Sequence, residues 1–277
     1  MRKKKQVNKN DFLVTDLPSN RKELFFDILK NQWRNLLILS LIFLLLFLPL
    51  VISRYYNLII INDIINSGSD DAGALVFNFS IGYNFVVFII LIVVGIFYGG
   101  IARIYKKLAF NEGFFLGADF VKGIKENFKD FIFFFALYGF LNLIIETLCI
   151  NFLLENNYLY YFFKVINYAT LLPIFGICLS LGSIYTDSVF KKIKVACRIY
   201  IKYLFKILLM LAVFILPLAL LLINSTSIQL FVPFVYTILY FPLAYLVFIL
   251  LLNSIFDEVI NKKNFPNLVG KGMYRNI

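Results

Sequence analysis

The sequence predicts an all-α fold, a polytopic membrane bundle of about six transmembrane helices, and three observations predict it. Apolar residues make up 61% of the 277 and the mean hydropathy is +0.84, where a soluble domain is roughly half apolar. These residues gather into uncharged runs that approach the ~20 residues needed to cross a hydrocarbon core ~30 Å thick. Between the runs, basic residues collect in alternate segments, as the positive-inside rule requires.

Residues 1–34 form a basic N-terminal segment, residues 35–253 the six-span domain, and residues 254–277 a C-terminal tail. Arg2 to Lys5 reads as a solvated arm that touches anionic headgroups. Asn20 and Glu23, just after Pro18, have the spacing of a capping box that starts an amphipathic helix. The spans run Leu36 to Ser53, Phe85 to Ala102, Phe131 to Leu154, Val165 to Ser183, Tyr203 to Ile223, and Leu230 to Leu252. Lys206 falls inside the fifth, near the end where its stem can lie along the helix and its ammonium reach the interface. More than thirty residues precede the first span and no small-x-small site follows it, so that span is expected to remain as a signal anchor.

Of the 27 Lys and Arg, only Arg54 and Lys164 fall on the translocated side of this topology. Both termini are therefore expected in the cytoplasm, with the chain an inner-membrane protein. Five spans would put a basic segment outside and lose most of that asymmetry. The longest external segment, Arg54 to Asn84, carries Asp63, Asp70 and Asp71 and the turn-like run Ser67 to Asp71, and could form a small cap.

A weak repeat organises the chain. A basic amphipathic segment, expected to lie at the interface, precedes spans one, three and five. Aligned on apolar spacing, Phe25 meets Phe120 and Ile193, Leu29 meets Ile124 and Cys197, and Trp33 meets Phe128 and Ile201. Lys30 then meets Lys125 and Arg198, and Arg34 meets Lys129 and Lys202. Duplication explains this pattern, and so does the shared need of helices entering a membrane for apolar residues toward lipid and cations toward headgroups.

Several activities are disfavoured by composition. The chain has no histidine, which removes the commonest general base and metal ligand, and with it zinc-protease and Ser-His or Cys-His chemistry. Cys149, Cys178 and Cys197 suggest neither a disulfide framework nor a metal cluster. A net charge of +11 would suggest nucleic acid in a soluble protein, but here it marks the membrane face that is not translocated. With no P-loop and no carboxylate pair or activated nucleophile in a span, no enzyme, catalytic residue, metal or cofactor is expected.

Glu146 is the one acidic residue deep within a predicted span, where a carboxylate asks for a partner. Tyr138, Asn142 and Glu146 are spaced i, i+4, i+8 and share one helix face. Reflection about the turn near Glu155 to Tyr158 brings Glu146 opposite Asn167, with Lys164 a turn away. Such a cluster serves either as a clamp between spans three and four or as a substrate or proton site. Gly95-x-x-x-Gly99 with Gly100, and Gly176 with Ser180, are small-residue pairs that suit close helix packing, with dimerisation the lesser reading. Pro173, Pro233 and Pro242 would kink their spans, and Tyr236, Tyr240 and Tyr245 would serve interface packing or a sugar-accepting surface. Asn78-Phe79-Ser80 and Asn224-Ser225-Thr226 match the glycosylation sequon, a short pattern of low specificity.

The stretch Gly95 to Phe134 resembles the core of the YesL-like family of bacterial integral membrane proteins. The resemblance rests on Gly99-Gly100-Ile101-Ala102-Arg103 with Tyr105, on Asn111-Glu112-Gly113, and on the run Asp119 to Lys129. About forty residues carry it, and the long acidic segment between spans one and two departs from the family pattern. Family members often accompany carbohydrate-uptake genes. The resemblance therefore implies a non-enzymatic accessory role beside ABC-type sugar transporter subunits, and carries over no catalytic residues. The alternative is a secondary transporter or permease, with Glu146, Asn142, Tyr138, Asn167 and Lys164 near the substrate path.

Overall fold

The computed structural model describes residues 17–68, 71–155, 157–223 and 226–274, and every regular element among them is helical. α1 (Arg21–Asn66) and α2 (Ala72–Ala109) are antiparallel and α3 (Leu116–Glu155) packs back along α2. The fourth span joins α4 (Asn157–Val165), a π-helical turn (Ile166–Leu171) and α5 (Leu172–Ile184). α6 (Val189–Lys202) and α7 (Leu204–Ile215) lead into a 3₁₀ segment (Leu216–Leu222). The last span joins α8 (Thr226–Val235), a second π turn (Tyr236–Tyr240) and α9 (Phe241–Phe256), before α10 (Lys262–Asn264) ends the α-helices. The arm Arg2 to Lys5, the tip Ser69-Asp70 and the sequon residues Asn224-Ser225 lie outside the described residues.

Five helical stretches are long and apolar enough to cross a membrane, and a sixth is added if one bent pair counts as a span, so this is a multi-pass membrane protein. The bent pair is α6 with α7 and its extension, turned by 92° at Tyr203. α7 rises about 18 Å and the 3₁₀ segment about 14 Å more. Together they match the ~30 Å core without help from α6.

The amphipathic segments behave in two ways. Those before spans one and three are continuous with them in α1 and α3, so the boundary drawn at residue 34 falls inside a helix. Only the third is a separate helix. No Gly or Pro stands at its bend; tertiary anchors hold α6 instead. Buried Lys192 pairs with Asp130 of α3, and the Tyr200 hydroxyl donates to the Ala169 carbonyl at 2.6 Å.

The repeat register reappears in the packing, shifted by one residue. Phe25, Phe120 and Ile193 are only half-buried, as are Leu29, Ile124 and Cys197. The buried positions precede them: Leu24, Asp119 and Lys192, then Ile28, Gly123 and Ala196. Trp33, Phe128 and Ile201 are all exposed, at 59%, 43% and 74%, the placement of apolar side chains that meet lipid at the interface.

Close approach of α2 and α3 is set by glycine. A Cβ on Gly123 would lie 2.7 Å from the Gly99 carbonyl oxygen and 2.9 Å from the Gly100 Cα, and one on Gly95 would lie 2.8 Å from the Phe135 Cβ. The small-residue pair of span two thus serves intramolecular packing. Beside it, Phe43 meets Tyr98, Tyr105, Phe241 and Tyr245 edge to face, and Tyr105 and Tyr245 meet likewise with centroids 4.9 Å apart. The Tyr105 hydroxyl donates to the Pro242 carbonyl at 3.1 Å.

One end of the bundle is basic and tied together by charge. Arg21 bridges Asp257 at 3.0 Å and donates to the carbonyls of Ala109 and Lys271. The Tyr185 hydroxyl donates to Asn261, and the Tyr274 amide to the Pro18 carbonyl, so the tail folds back onto the start of α1. Asn20 caps α1 by accepting from the Glu23 amide at 2.9 Å, while the Glu23 carboxylate accepts from the amide and hydroxyl of Ser19 and from the Asn20 side-chain amide at 2.9 Å. The Ser19 amide bond holds the Glu23 carboxyl below its ordinary value.

At the opposite end the segment Arg54 to Asn84 is not a cap. Residues 54–66 contain no Gly or Pro, so α1 runs on until Ser67 and Gly68, where Gly68 takes φ +62° and turns the chain. α2 starts at Ala72 and the two arms form a helical hairpin rising about 20 Å past the predicted span ends. The sequon at Asn78 lies on this α2 arm.

Candidate polar site between spans three and four

A carboxylate at depth in a bilayer is costly unless it is paired and hydrogen-bonded. The structure supplies both partners from span four. Lys164, at the end of α4, donates to Glu146 Oε2 at 2.5 Å. Asn167, in the π turn, is fully buried and donates to Glu146 Oε1 at 3.1 Å and to Asn142 Oδ1 at 2.7 Å. Both carboxylate oxygens and both amide protons of Asn167 are thereby used.

Local backbone chemistry explains why Asn167 reaches the carboxylate. Pro173 has no N–H to give to the carbonyl a turn before it, and the π turn Ile166–Leu171 absorbs the extra residue there. The freed Ala169 carbonyl accepts the Tyr200 hydroxyl from α6 instead. A π bulge rotates the side chains before it relative to those after it, and this one delivers Asn167 to the α3 face that carries Asn142 and Glu146.

Aromatic rings surround the charge pair. Lys164 Nζ lies 5.6 Å from the Tyr160 centroid and 5.9 Å from that of Tyr168, within cation–π range. Tyr138, the fifth residue of the predicted set, stacks on Phe175 with centroids 4.5 Å apart. Tyr83 of α2 lies near Ser53, Arg54 and Glu146. Arg54 and Lys164, the two basic residues separated from the rest in sequence, thus converge at one end of the bundle.

The pair is self-contained. The side chains of Glu146 and Lys164 are 18% and 24% exposed. Three cavities among the described residues, of about 420, 340 and 430 Å³, are lined by other residues. One atom stays open: the buried Asn167 Oδ1 has no hydrogen-bond partner. Among the described residues no group of His, Cys, Asp and Glu could hold a metal ion, and the three cysteines are free.

Two tyrosines with no role assigned by the sequence beyond interface packing or a sugar surface prove to serve the backbone. Pro217 cannot donate to span five, and the carbonyls of Val213 and Phe214, its α- and 3₁₀-type acceptors, would be orphaned. The Tyr240 hydroxyl donates to Val213 at 2.7 Å and that of Tyr236 to Phe214 at 3.1 Å. The signal was present as a proline in one span and a tyrosine pair in the next, but their pairing depends on tertiary register.

At the basic end, residues of α2 and α3 form one charged junction. Arg103 bonds to Asp119 at 3.1 Å and to Glu126, Lys107 bonds to Asp119 at 2.7 Å, and Asn127 donates to the Gly123 carbonyl at 3.0 Å. Desolvation opposes the Asp119 charge, but Lys107, the Phe115 amide and Arg103 outweigh it and hold the carboxyl at about 2. Comparison with protein-family models, curated proteins and solved structures finds no match for the chain.

Proposed function

We propose that this multi-pass membrane protein is a non-enzymatic accessory component of a membrane assembly, oriented with its basic end in the cytoplasm of a bacterial cell. The closure of the Glu146 site carries this reading. A permease that moved its substrate past Glu146 would need a polar cavity there; the chain's own Lys164, Asn167 and Asn142 take up the carboxylate instead. The orientation rests on the positive-inside rule. The carbohydrate-uptake context rests on the YesL-like resemblance of Gly95 to Phe134 alone, with sugar transporter subunits as the expected partners.

The second reading, a transporter in its own right, is favoured by the open Asn167 Oδ1, an acceptor beside a charged pair that a substrate hydroxyl would satisfy. Purification of the full chain in mild detergent, followed by mass spectrometry, separates the two. Recovery of sugar transporter subunits supports the accessory role. A solitary chain whose melting temperature rises with added sugar, and whose response disappears in Glu146→Gln, overturns it.

A further inference from the structure

The cavity of about 420 Å³ is a groove between the upper part of α1 and the last two spans, at the end opposite the basic one. Phe47, Leu50 and Val51 form one wall, and Leu218, Pro233 and Phe241 the other. These side chains are half-buried, so the groove is open along its walls rather than sealed within the bundle. Its size falls in the range of small-molecule sites.

Irregular backbone keeps the walls apart. Span five is 3₁₀ over Leu216–Leu222 and span six is π-helical over Tyr236–Tyr240, so neither offers a regular ridge to fill the space beside α1. The polar groups on the walls are already occupied: Tyr236 donates to Phe214, and Thr237 donates to the Pro233 carbonyl at 2.7 Å. What remains for a ligand is hydrocarbon, with one exception. Arg54 also lines the groove, is exposed, and forms no ion pair among the described residues. The groups that face it electrostatically are the phenols of Tyr55, Tyr83 and Tyr168. Glu146 is committed to Lys164.

We propose that this groove binds an anionic phospholipid from the adjoining leaflet, an acyl chain lying between α1 and the last two spans and the phosphate paired with Arg54. A guanidinium matches a phosphate with two parallel hydrogen bonds. It also stands where an apolar channel meets the headgroup region, so the charge and the hydrocarbon of one molecule are satisfied together. The apolar walls of the groove select a lipid over a soluble phosphate.

The test uses the full chain, delipidated in detergent and given equal amounts of phosphatidylglycerol and phosphatidylcholine. Native mass spectrometry reads which lipid survives collisional activation. The wild type is expected to retain one phosphatidylglycerol with roughly tenfold preference. Arg54→Gln loses the preference, Arg54→Lys keeps part of it, and Lys30→Gln, an exposed cation at the basic end, leaves it unchanged. Leu58→Trp, which fills the groove from an exposed position, abolishes retention of both lipids. As a second readout, phosphatidylglycerol raises the melting temperature of the wild type but not of Arg54→Gln, and glycerol 3-phosphate raises neither. Equal retention by wild type, Arg54→Gln and Leu58→Trp overturns the proposal, as does stabilisation by glycerol 3-phosphate to the same extent.

Discussion

Gly123→Ala probes the close contact between α2 and α3. The new Cβ would stand 2.7 Å from both the Gly99 carbonyl oxygen and the Arg103 Cβ, and 2.9 Å from the Gly100 Cα. Two of these three neighbours are backbone, which cannot swing away. Restoring ordinary contact at about 3.4 Å requires α2 and α3 to part by roughly 0.7 Å, an overpacking cost of about 1–3 kcal/mol. Alanine also gains about 0.5–1 kcal/mol of helix propensity over glycine. The net expectation is a loss of about 1–2 kcal/mol, or roughly 2–8 °C in melting temperature for a chain of this size. Gly82→Ala, in α2 with nothing within 4 Å of its Cβ, is the matched control and should be neutral or slightly stabilising. Thermal melts in detergent, followed by size-exclusion chromatography, measure both variants. If Gly123→Ala melts at or above Gly82→Ala, the close contact of α2 and α3 does not set their packing.

Glu146→Gln should cost about 2–4 kcal/mol, because it leaves Lys164 without its counter-charge at membrane depth, whereas Glu146→Gln with Lys164→Met should come within about 1 kcal/mol of wild type. A double variant no more stable than the single one in the same melts would contradict a structural pair. Tyr240→Phe orphans the Val213 carbonyl and should destabilise by about 1–3 kcal/mol, but Pro217→Ala restores an N–H in span five and should absorb most of that loss. Additive losses in the double variant would rule out the exchange. Because the fold lowers the Asp119 pKa from 3.8 to about 2, its contribution is fully present above the ordinary value and is lost as pH falls through the folded one. Melting temperature between pH 4.5 and pH 2 should therefore drop further in wild type than in Asp119→Asn, and parallel curves would remove Asp119 as a source of acid sensitivity.

Much of this architecture was legible because it follows from single-helix periodicity. The i, i+4, i+8 spacing of Tyr138, Asn142 and Glu146 placed them on one face, and reflection about the next turn found Lys164 and Asn167. The features that escaped are those in which one element acts on another. The bend at Tyr203 has no breaking residue and depends on Lys192 reaching Asp130 and on Tyr200 reaching Ala169. The alignment of the amphipathic segments paired Phe25, Phe120 and Ile193 on apolar spacing, and the buried positions fall one residue earlier. There the charged Asp119 and Lys192 are tolerated because their partners lie on neighbouring helices. Periodicity marks the face of a helix, and the neighbour decides which edge of that face is covered.

The unbroken run of α1 makes it a lever. At 46 residues it is about 69 Å long, and its basic end is pinned by Arg21 to Asp257 and to two carbonyls. Pro49 removes one internal hydrogen bond about two-fifths of the way from the far end, so that is where bending is easiest. The arm from Pro49 to Asn66 is about 26 Å, and a tilt of about 10° there carries its tip on the order of 5 Å. The same arm carries Val51 and Arg54, which face the groove beside span six. Any load applied to the protruding hairpin is thus delivered first to the width of that groove, while the clamped basic end stays in place.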